Sequence, residues 1–290
     1  MTFSWNLIDD IREMWSMSFM VNAFRAGTIV AVVAAVVGWF MVLRRQSFAG
    51  HTLAVVGFPG AAGAVLLGFA ASYGYFAFCV AAAAVIAALP ARTGNGYTEE
   101  SALIGTVQAL ALATGMLFVA LYQGFLGGTS ALLFGSFLGI SGPQVGMLAV
   151  VAVIVLVAMA VLGRPLLFSS IDPDVAKANG VPTRALDAAF LLLLGATAAG
   201  VSQITGALLV FALLVLPAAT AQRLTIRPAL SLAASLLLAL VTVWSALFIG
   251  YYSPYPIGFW LTSIAFGGYV LASVARAIRD RPRTRRAVSA

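Results

Sequence analysis

The chain has 290 residues, of which 62% are hydrophobic and only 9% charged, against roughly 25% charged in an ordinary soluble domain. That balance excludes a water-soluble core of this size and points to the bilayer as solvent. The formal charge of +7 does not point to nucleic acid as a partner, because the basic residues sit in short loops and at the C-terminus and do not alternate with stacking aromatics.

Residues 4 to 19 (SWNLIDDIREMWSMSF) place Leu7, Ile8, Ile11, Met14, Trp15 and Phe19 on one helical stripe, with Asp9, Asp10, Arg12 and Glu13 elsewhere. The pattern predicts an interfacial helix within residues 1–18. No basic region precedes a short apolar core and cleavage site, so no removable signal peptide is expected. A first span then runs to about Leu43, where Arg44 and Arg45 stop it. The second covers about Thr52 to Ala70 and the third about Tyr73 to Ala91. The break ARTGNGYTEE, Ala91 to Glu100, joins turn glycines to charge and precedes a fourth span from about Ala102 to Tyr122.

The next segments, GFLGGT and LLFGSFLGISGP, are too short and glycine-rich for a crossing, so Phe134 to Ile140 reads as re-entrant or interfacial. The fifth span, about Val145 to Leu162, is expected to end at Gly163-Arg164-Pro165, ahead of a polar segment reaching Asp187. Spans six (about Leu186 to Val201) and seven (Ile204 to Ala221) are separated only by Ser202 and Gln203, and the shortness of span six suggests a broken helix. Spans eight (Ala229 to Tyr251) and nine (Ile257 to Ala275) precede a basic tail.

The expected architecture is therefore an all-α polytopic membrane protein of about nine, eight to nine, transmembrane helices. Residues 1–18 form the extracytoplasmic interfacial helix, 19–275 the transmembrane domain with a cytoplasmic segment at 163–187, and 276–290 the basic cytoplasmic tail. Nine spans with the N-terminus outside place 14 of the 16 basic residues inside, including Arg44, Arg45, Arg92, Arg164, Lys177, Arg184, Arg223, Arg227 and the arginines from Arg276 to Arg286. Charge favours that orientation over its inverse.

Absences narrow the mechanism. Lys177, the only lysine, is preceded by no glycine-rich phosphate loop, so ATP hydrolysis by this chain is not expected. The lone histidine, His51, has no carboxylate or cysteine beside it in sequence, so an enzyme is not expected either. The middles of the spans carry no ionisable residue, which argues against coupling to an ion gradient and for energy supplied by a partner. The single Cys79 lies in an apolar run and reads as packing.

Between spans five and six, IDPDVAKANGVPTRALD runs from Ile171 to Asp187, and its Asp174-Val175-Ala176 is followed after three residues by Gly180. The fragment resembles the E-A-A-x-x-x-G loop of ABC-importer permeases, a short cytoplasmic helix with small residues on the face that enters the ATPase and a glycine in the left-handed cap. An ordinary amphipathic loop helix is the alternative. Four more segments resemble the family of zinc and manganese ABC-importer permeases, in order and spacing, over about residues 20 to 275. They are VLRRQSFAGHTLAVVGFPGAAGA from Val42 to Ala64, EESALIG from Glu99, LLFGSFLGIS from Leu132, and GALLVFALLVLPAATAQRL from Gly206 to Leu224.

The resemblance implies a permease homodimer in a prokaryotic cell membrane, with a cobalamin-importer-like helical arrangement and the path at the dimer axis. It also implies cytoplasmic ABC ATPase subunits, coupled through Asp174, Ala176, Lys177 and Gly180, and an extracytoplasmic metal-binding protein. No cofactor is bound permanently; the divalent metal is cargo. Many relatives read G-D-x-x-x-H after the double arginine, whereas here His51 follows Gly50 and Val55 stands at the histidine position. The expected ligand pair is reduced to one imidazole, His51, which by ligand type favours zinc over manganese or iron. An interfacial cap on span two is the alternative role for His51. Pro59 and Pro217 fall within spans and read as kinks or as points where a carbonyl is freed. A siderophore or chelate permease and a membrane scaffold without a transport path are the competing functions.

Overall fold

A computed structural model describes residues 7–88, 96–122, 135, 137–207 and 209–279. Among these the regular structure is helical: α1 (Leu7–Ser16), α2 (Ser18–Leu43), α3 (Ser47–Leu66), α4 (Ala71–Ala88), α5 (Gly96–Leu121), a 3-10 turn at Phe137–Gly139, α6 (Gly142–Ile171), α7 (Pro173–Ala178), α8 (Thr183–Thr205), α9 (Val210–Leu224), α10 (Pro228–Tyr252) and α11 (Ile257–Arg279). In hydrocarbon each backbone N–H and C=O must be satisfied within the segment, which leaves helices as the form for these apolar runs. Eight of them, α2 to α6, α8, α10 and α11, are long and apolar enough to cross a bilayer. The ninth expected span is α9, whose 15 residues reach about 22 Å at 1.5 Å per residue, short of a hydrocarbon core of about 30 Å.

The core is built around α2, which packs on α6, α8, α9 and α10, while α3 packs on α4, α5, α8 and α9. Apolar area gains nothing on leaving lipid, so contact depends on close approach and interhelical polar bonds. Gly38 of α2 lies against the Leu214 carbonyl of α9, and Gly60 of α3 faces Gly74 of α4 backbone to backbone. Trp39 Nε1 donates to Ser231 Oγ (2.9 Å), Gln222 Nε2 to the Trp39 carbonyl (2.9 Å), and Ser235 Oγ to the Ala35 carbonyl (3.3 Å), tying α9 and α10 to α2. The outer faces of α5 and α6 carry exposed Leu110, Met116, Val153 and Val157.

Several boundaries differ from the sequence reading, among them the start of α5, at Gly96 instead of Ala102, and the end of α3, at Leu66 instead of Ala70. α3 starts at Ser47 instead of Thr52, because Arg45 (φ +58) and the bonds from Arg45 N to Val42 O and Gln46 N to Met41 O close the α2–α3 turn within three residues. Gly50 and His51 are thereby inside α3. α6 does not end at Gly163-Arg164-Pro165 but continues to Ile171, since Pro165 removes one helical bond and Arg164 points outward. Its 30 residues, about 45 Å, extend beyond the hydrocarbon on the α7 side. α8 runs through Ser202 and Gln203, and the break falls at Gly206 (φ +76) before α9.

Of the segment from Phe134 to Ile140, Phe134 and Ser136 lie outside the described residues. Phe137 and Ile140 are buried, the Ile140 carbonyl accepts from Asn22 Nδ2 (3.3 Å), and Gly135 (φ +80) lies against the backbone of Ile204 to Gly206 with no room for a side chain. The segment therefore caps one end of the bundle instead of spanning it. At that same end α1 folds against α2, with Met14 buried and Trp15 stacked 6.0 Å from Phe24. The opposite end gathers the last turns of α2, α6 and α9, the first turn of α8, and α7. Residues 1–6, 89–95 with Arg92, 123–134 with the GFLGGT segment, and those beyond 279 lie outside the described residues.

Candidate metal path and coupling segment

His51 is the fifth residue of α3 and half-buried. Phe211, in the first turn of α9, meets its ring edge-on at 5.0 Å. On the other side stands Gln108 of α5, whose Nε2 lies 3.4 Å from His51 Nε2 and whose Oε1 accepts from Thr52 Oγ1 at 3.0 Å. An amide N–H facing Nε2 makes that nitrogen the acceptor and puts the ring proton on Nδ1, which is buried without a partner. Turning the amide over reverses both assignments and leaves the Nδ1 lone pair free. The orientation of Gln108 thus decides which nitrogen of His51 can meet a cation.

Gly50, just before the histidine, leaves space filled by the Met41 thioether. One turn after His51, Val55 is buried, and Pro59 lacks the N–H that would bond the Val55 carbonyl. The polar groups beside His51 are therefore the Gln108 amide and the Thr52 hydroxyl, both neutral, while the carbonyl that Pro59 leaves unpaired lies further along α3. Among the described residues no group of three or more His, Cys, Asp or Glu side chains converges. Such a set can pass a divalent cation but lacks the charge to trap one. Cys79 is buried on α4 with Sγ 3.2 Å from the Leu53 carbonyl, where it packs α4 on α3.

The coupling candidates lie on and after α7. Asp172 caps this helix by accepting from Val175 N (3.0 Å), and Pro173 opens it. Gly180 N bonds the Lys177 carbonyl and Val181 N the Ala176 carbonyl, both at 3.0 Å, with Gly180 at φ +78. These paired bonds close the helix in the left-handed cap that a glycine adopts without strain. Asp174, Val175, Lys177 and Gly180 are exposed. Ala176 is fully buried, so the expected small-residue face is turned inward and seats α7 on the body of the chain.

The structure thus brings His51 to Thr52 and Gln108, and groups Asp174, Ala176, Lys177 and Gly180 in one capped turn. Gln108 escaped the sequence reading. Its signal was present as a lone amide inside an otherwise apolar span.

The model of the ABC 3 transport family matches residues 16–276 of this chain. Among similar proteins, manganese transport system membrane protein MntC of Halalkalibacterium halodurans is 28% identical over 223 residues, covering 77% of this chain and 75% of that one. Manganese import system permease protein ScaB of Streptococcus parasanguinis is 30% identical over 203 residues (70% and 71%), and chelated iron transport system membrane protein YfeC of Yersinia pestis is 29% identical over 223 residues (76% and 74%). In the solved structure of PsaBC from Streptococcus pneumoniae in complex with Fab, a chain 25% identical to this one has a TM-score of 0.81, covering 92% of this chain and 95% of that one. An inward-facing metal-chelate type ABC transporter has a TM-score of 0.69 at 18% identity, covering 88% and 86%, and speaks to the fold alone.

Proposed function

We propose that this chain, which belongs to the ABC 3 transport family, is the membrane-spanning permease subunit of an ATP-driven importer of divalent metal ions. The observation that carries the reading is the family match through residues 16–276, which takes in every crossing helix from α2 to α10 and most of α11. Relatives named for manganese cover about three quarters of the chain, so manganese is the leading cargo. Zinc is the second reading, favoured by one observation: His51 stands where a carboxylate is usual, and imidazole suits zinc better than manganese.

In this reading the protein is a multi-pass plasma-membrane homodimer, with the α7 end in the cytoplasm and α1 outside. The gathering of Arg44, Arg45, Lys177, Arg184, Arg223 and Arg227 around the α7 end supports that orientation. ABC ATPase subunits dock on the exposed side of α7, through Asp174, Val175 and Lys177. A separate extracytoplasmic protein binds metal tightly and delivers it to the opposite end. His51 then offers a brief foothold, with Gln108 selecting the ring nitrogen that meets the ion.

The test is uptake of radioactive manganese and zinc into vesicles holding the permease with its ATPase and binding protein. Metal uptake should require ATP. His51→Ala should lower it at matched protein level, and His51→Asp should retain more activity and shift preference toward manganese, the harder ion. Full uptake by the alanine variant with unchanged selectivity would reduce His51 to an interfacial cap. Uptake of neither metal by the wild-type assembly would remove the metal-import reading itself.

A further inference from the structure

The end of α2 carries a cation that the path through His51 does not use. Arg44 caps α2 with a side chain only 9% exposed, and its contacts reach both sides of the α7 segment. One terminal nitrogen pairs with the carboxylate of Asp187, in the first turns of α8. The other donates to Ser169 Oγ (3.3 Å) and Ser170 Oγ (3.1 Å), in the last turn of α6. Both hydroxyls spend their own protons on the Leu166 carbonyl, so their oxygens are free to accept. The guanidinium also lies 5.5 Å from the ring centroid of Phe190 on α8.

The chain therefore leaves the bundle at Ser169 and Ser170 of α6, forms α7, and rejoins it at Asp187 of α8, with both anchor points held by one planar fork. A guanidinium can bind a carboxylate and two hydroxyls together because its donors diverge in a fixed plane, which an ammonium cannot match. The pair is also uneven. Asp187 is 47% exposed and has water as a substitute partner, whereas Arg44 is almost enclosed and has none to spare, so if the anchors move the arginine must move with them. The backbone beyond Arg44 is stiff: Arg45 holds φ +58 and the turn closes within three residues into α3, with His51 seven positions beyond Arg44.

We infer that Arg44 is a positioning residue that carries displacement of the α7 segment to the start of α3, so that events at the coupling helix move the His51 end of the path. The inference rests on α7 as the ATPase contact in the proposed function. It differs from plain structural support in what it predicts: without the fork, hydrolysis continues while the path no longer responds.

The experiment measures ATP hydrolysed and radioactive manganese taken up in the same vesicles, using the complete importer at matched amounts of monodisperse protein. Arg44→Gln keeps bulk and some donors but removes the charge; Asp187→Asn removes the opposite charge at a half-exposed site and carries the test if Arg44→Gln fails to insert. Metal taken up per ATP should fall about tenfold, within the range usual for coupling between distinct sites, while hydrolysis stays within about twofold of wild type. Arg44→Lys should recover part of the ratio, because it can hold Asp187 or the serines but not both. A proportional fall of hydrolysis and uptake, with their ratio kept in Arg44→Gln and Asp187→Asn, would assign Arg44 to folding alone and overturn the inference, as would wild-type values for both. Failure of the underlying reading is separate, since the wild-type assembly itself would then take up no metal.

Discussion

The crossing of α3 and α4 offers a direct measurement of how this bundle is held. Gly60 and Gly74 meet there backbone to backbone, so a methyl group on either has no rotamer that avoids the other helix. A Cβ on Gly60 would lie 2.6 Å from Phe78 Cβ, and one on Gly74 2.8 Å from Ala64 Cβ, with the facing glycine carbonyl closer still. Ordinary contact begins near 3.4 Å, so the helices must part by about 0.8 Å (3.4 minus 2.6) or more. Overpacking of this kind costs about 1–3 kcal/mol, and in lipid no compensating burial of apolar area is available. At roughly 2 °C per kcal/mol for a chain of this length, Gly60→Ala or Gly74→Ala should lower the unfolding midpoint in detergent by about 2–6 °C. Gly267→Ala, on α11 with nothing within 4 Å of its Cβ, should leave the midpoint unchanged or slightly raised by helix propensity. Cys79 supplies a second readout. It is the only cysteine, fully buried, and its Sγ would lie 3.3 Å from a Cβ on Gly57 of the same interface, so parting of α3 from α4 should speed its labelling by a thiol reagent. Wild-type midpoints and wild-type labelling rates in both variants would refute close backbone approach as the source of this packing.

Gly180→Val should lower transport and transport-stimulated hydrolysis while membrane insertion stays normal, because nothing lies within 4 Å of its Cβ and the whole penalty comes from φ +78. Gly180→Asn should be milder, asparagine being tolerant of that conformation, and equal uptake by the valine variant and wild type would exclude the cap from coupling. Gln108→Leu should free Nε2 of His51 and raise zinc uptake relative to manganese, whereas Gln108→Glu, which adds a carboxylate 3–4 Å from the ring by analogy with the present 3.4 Å contact, should shift the ratio toward manganese. A competition uptake assay reads both, and an unchanged ratio in the pair would remove Gln108 from selectivity.

How far the sequence could be read depended on the range of the interaction that decides each feature. Spans were legible because apolar length against bilayer thickness is a local property, and each of the nine expected spans corresponds to a helix. Boundaries shifted where contacts distant in sequence decide them. The double arginine looked like a stop with polar residues beyond it, yet Arg44 finds Asp187, Ser169 and Ser170 more than 120 positions away, and α3 can begin at once. Gly163-Arg164-Pro165 looked like a terminus, yet a helix leaving the hydrocarbon tolerates an outward arginine and one missing bond. The left-handed glycine after α7 was legible through the resemblance to the importer loop, since the cap depends only on the adjacent residues 176 to 181. Burial of Ala176 was not, because it depends on how α7 lies against the body. Gln108 shows the same limit: one amide stands out in an apolar span, but the sequence does not say that it faces His51 and Thr52 from another helix.

The neutral character of the proposed path has a consequence for how metal moves. On the proposed path, a divalent ion passing His51 would exchange hydration for an imidazole, an amide and a hydroxyl, with no carboxylate among the described contacts to offset its charge. The exchange is unfavourable enough that residence must be short, and the permease by itself should retain little metal at equilibrium. Directionality then cannot come from affinity within the span. It has to come from the order in which the two ends open, which places the burden on α7 and on whatever ties α7 to α3. A histidine in place of an aspartate suits that division, because it keeps a lone pair for the passing ion while removing the charge that would hold it. A homodimer of the kind proposed would bring two such rings together, still without charge. Placing a carboxylate there, as in His51→Asp, should therefore lengthen residence as well as shift selectivity, and the variant importer should retain more manganese when hydrolysis is blocked than the wild type does. Equal retention would mean that charge at this position does not govern occupancy, and that the ion crosses elsewhere.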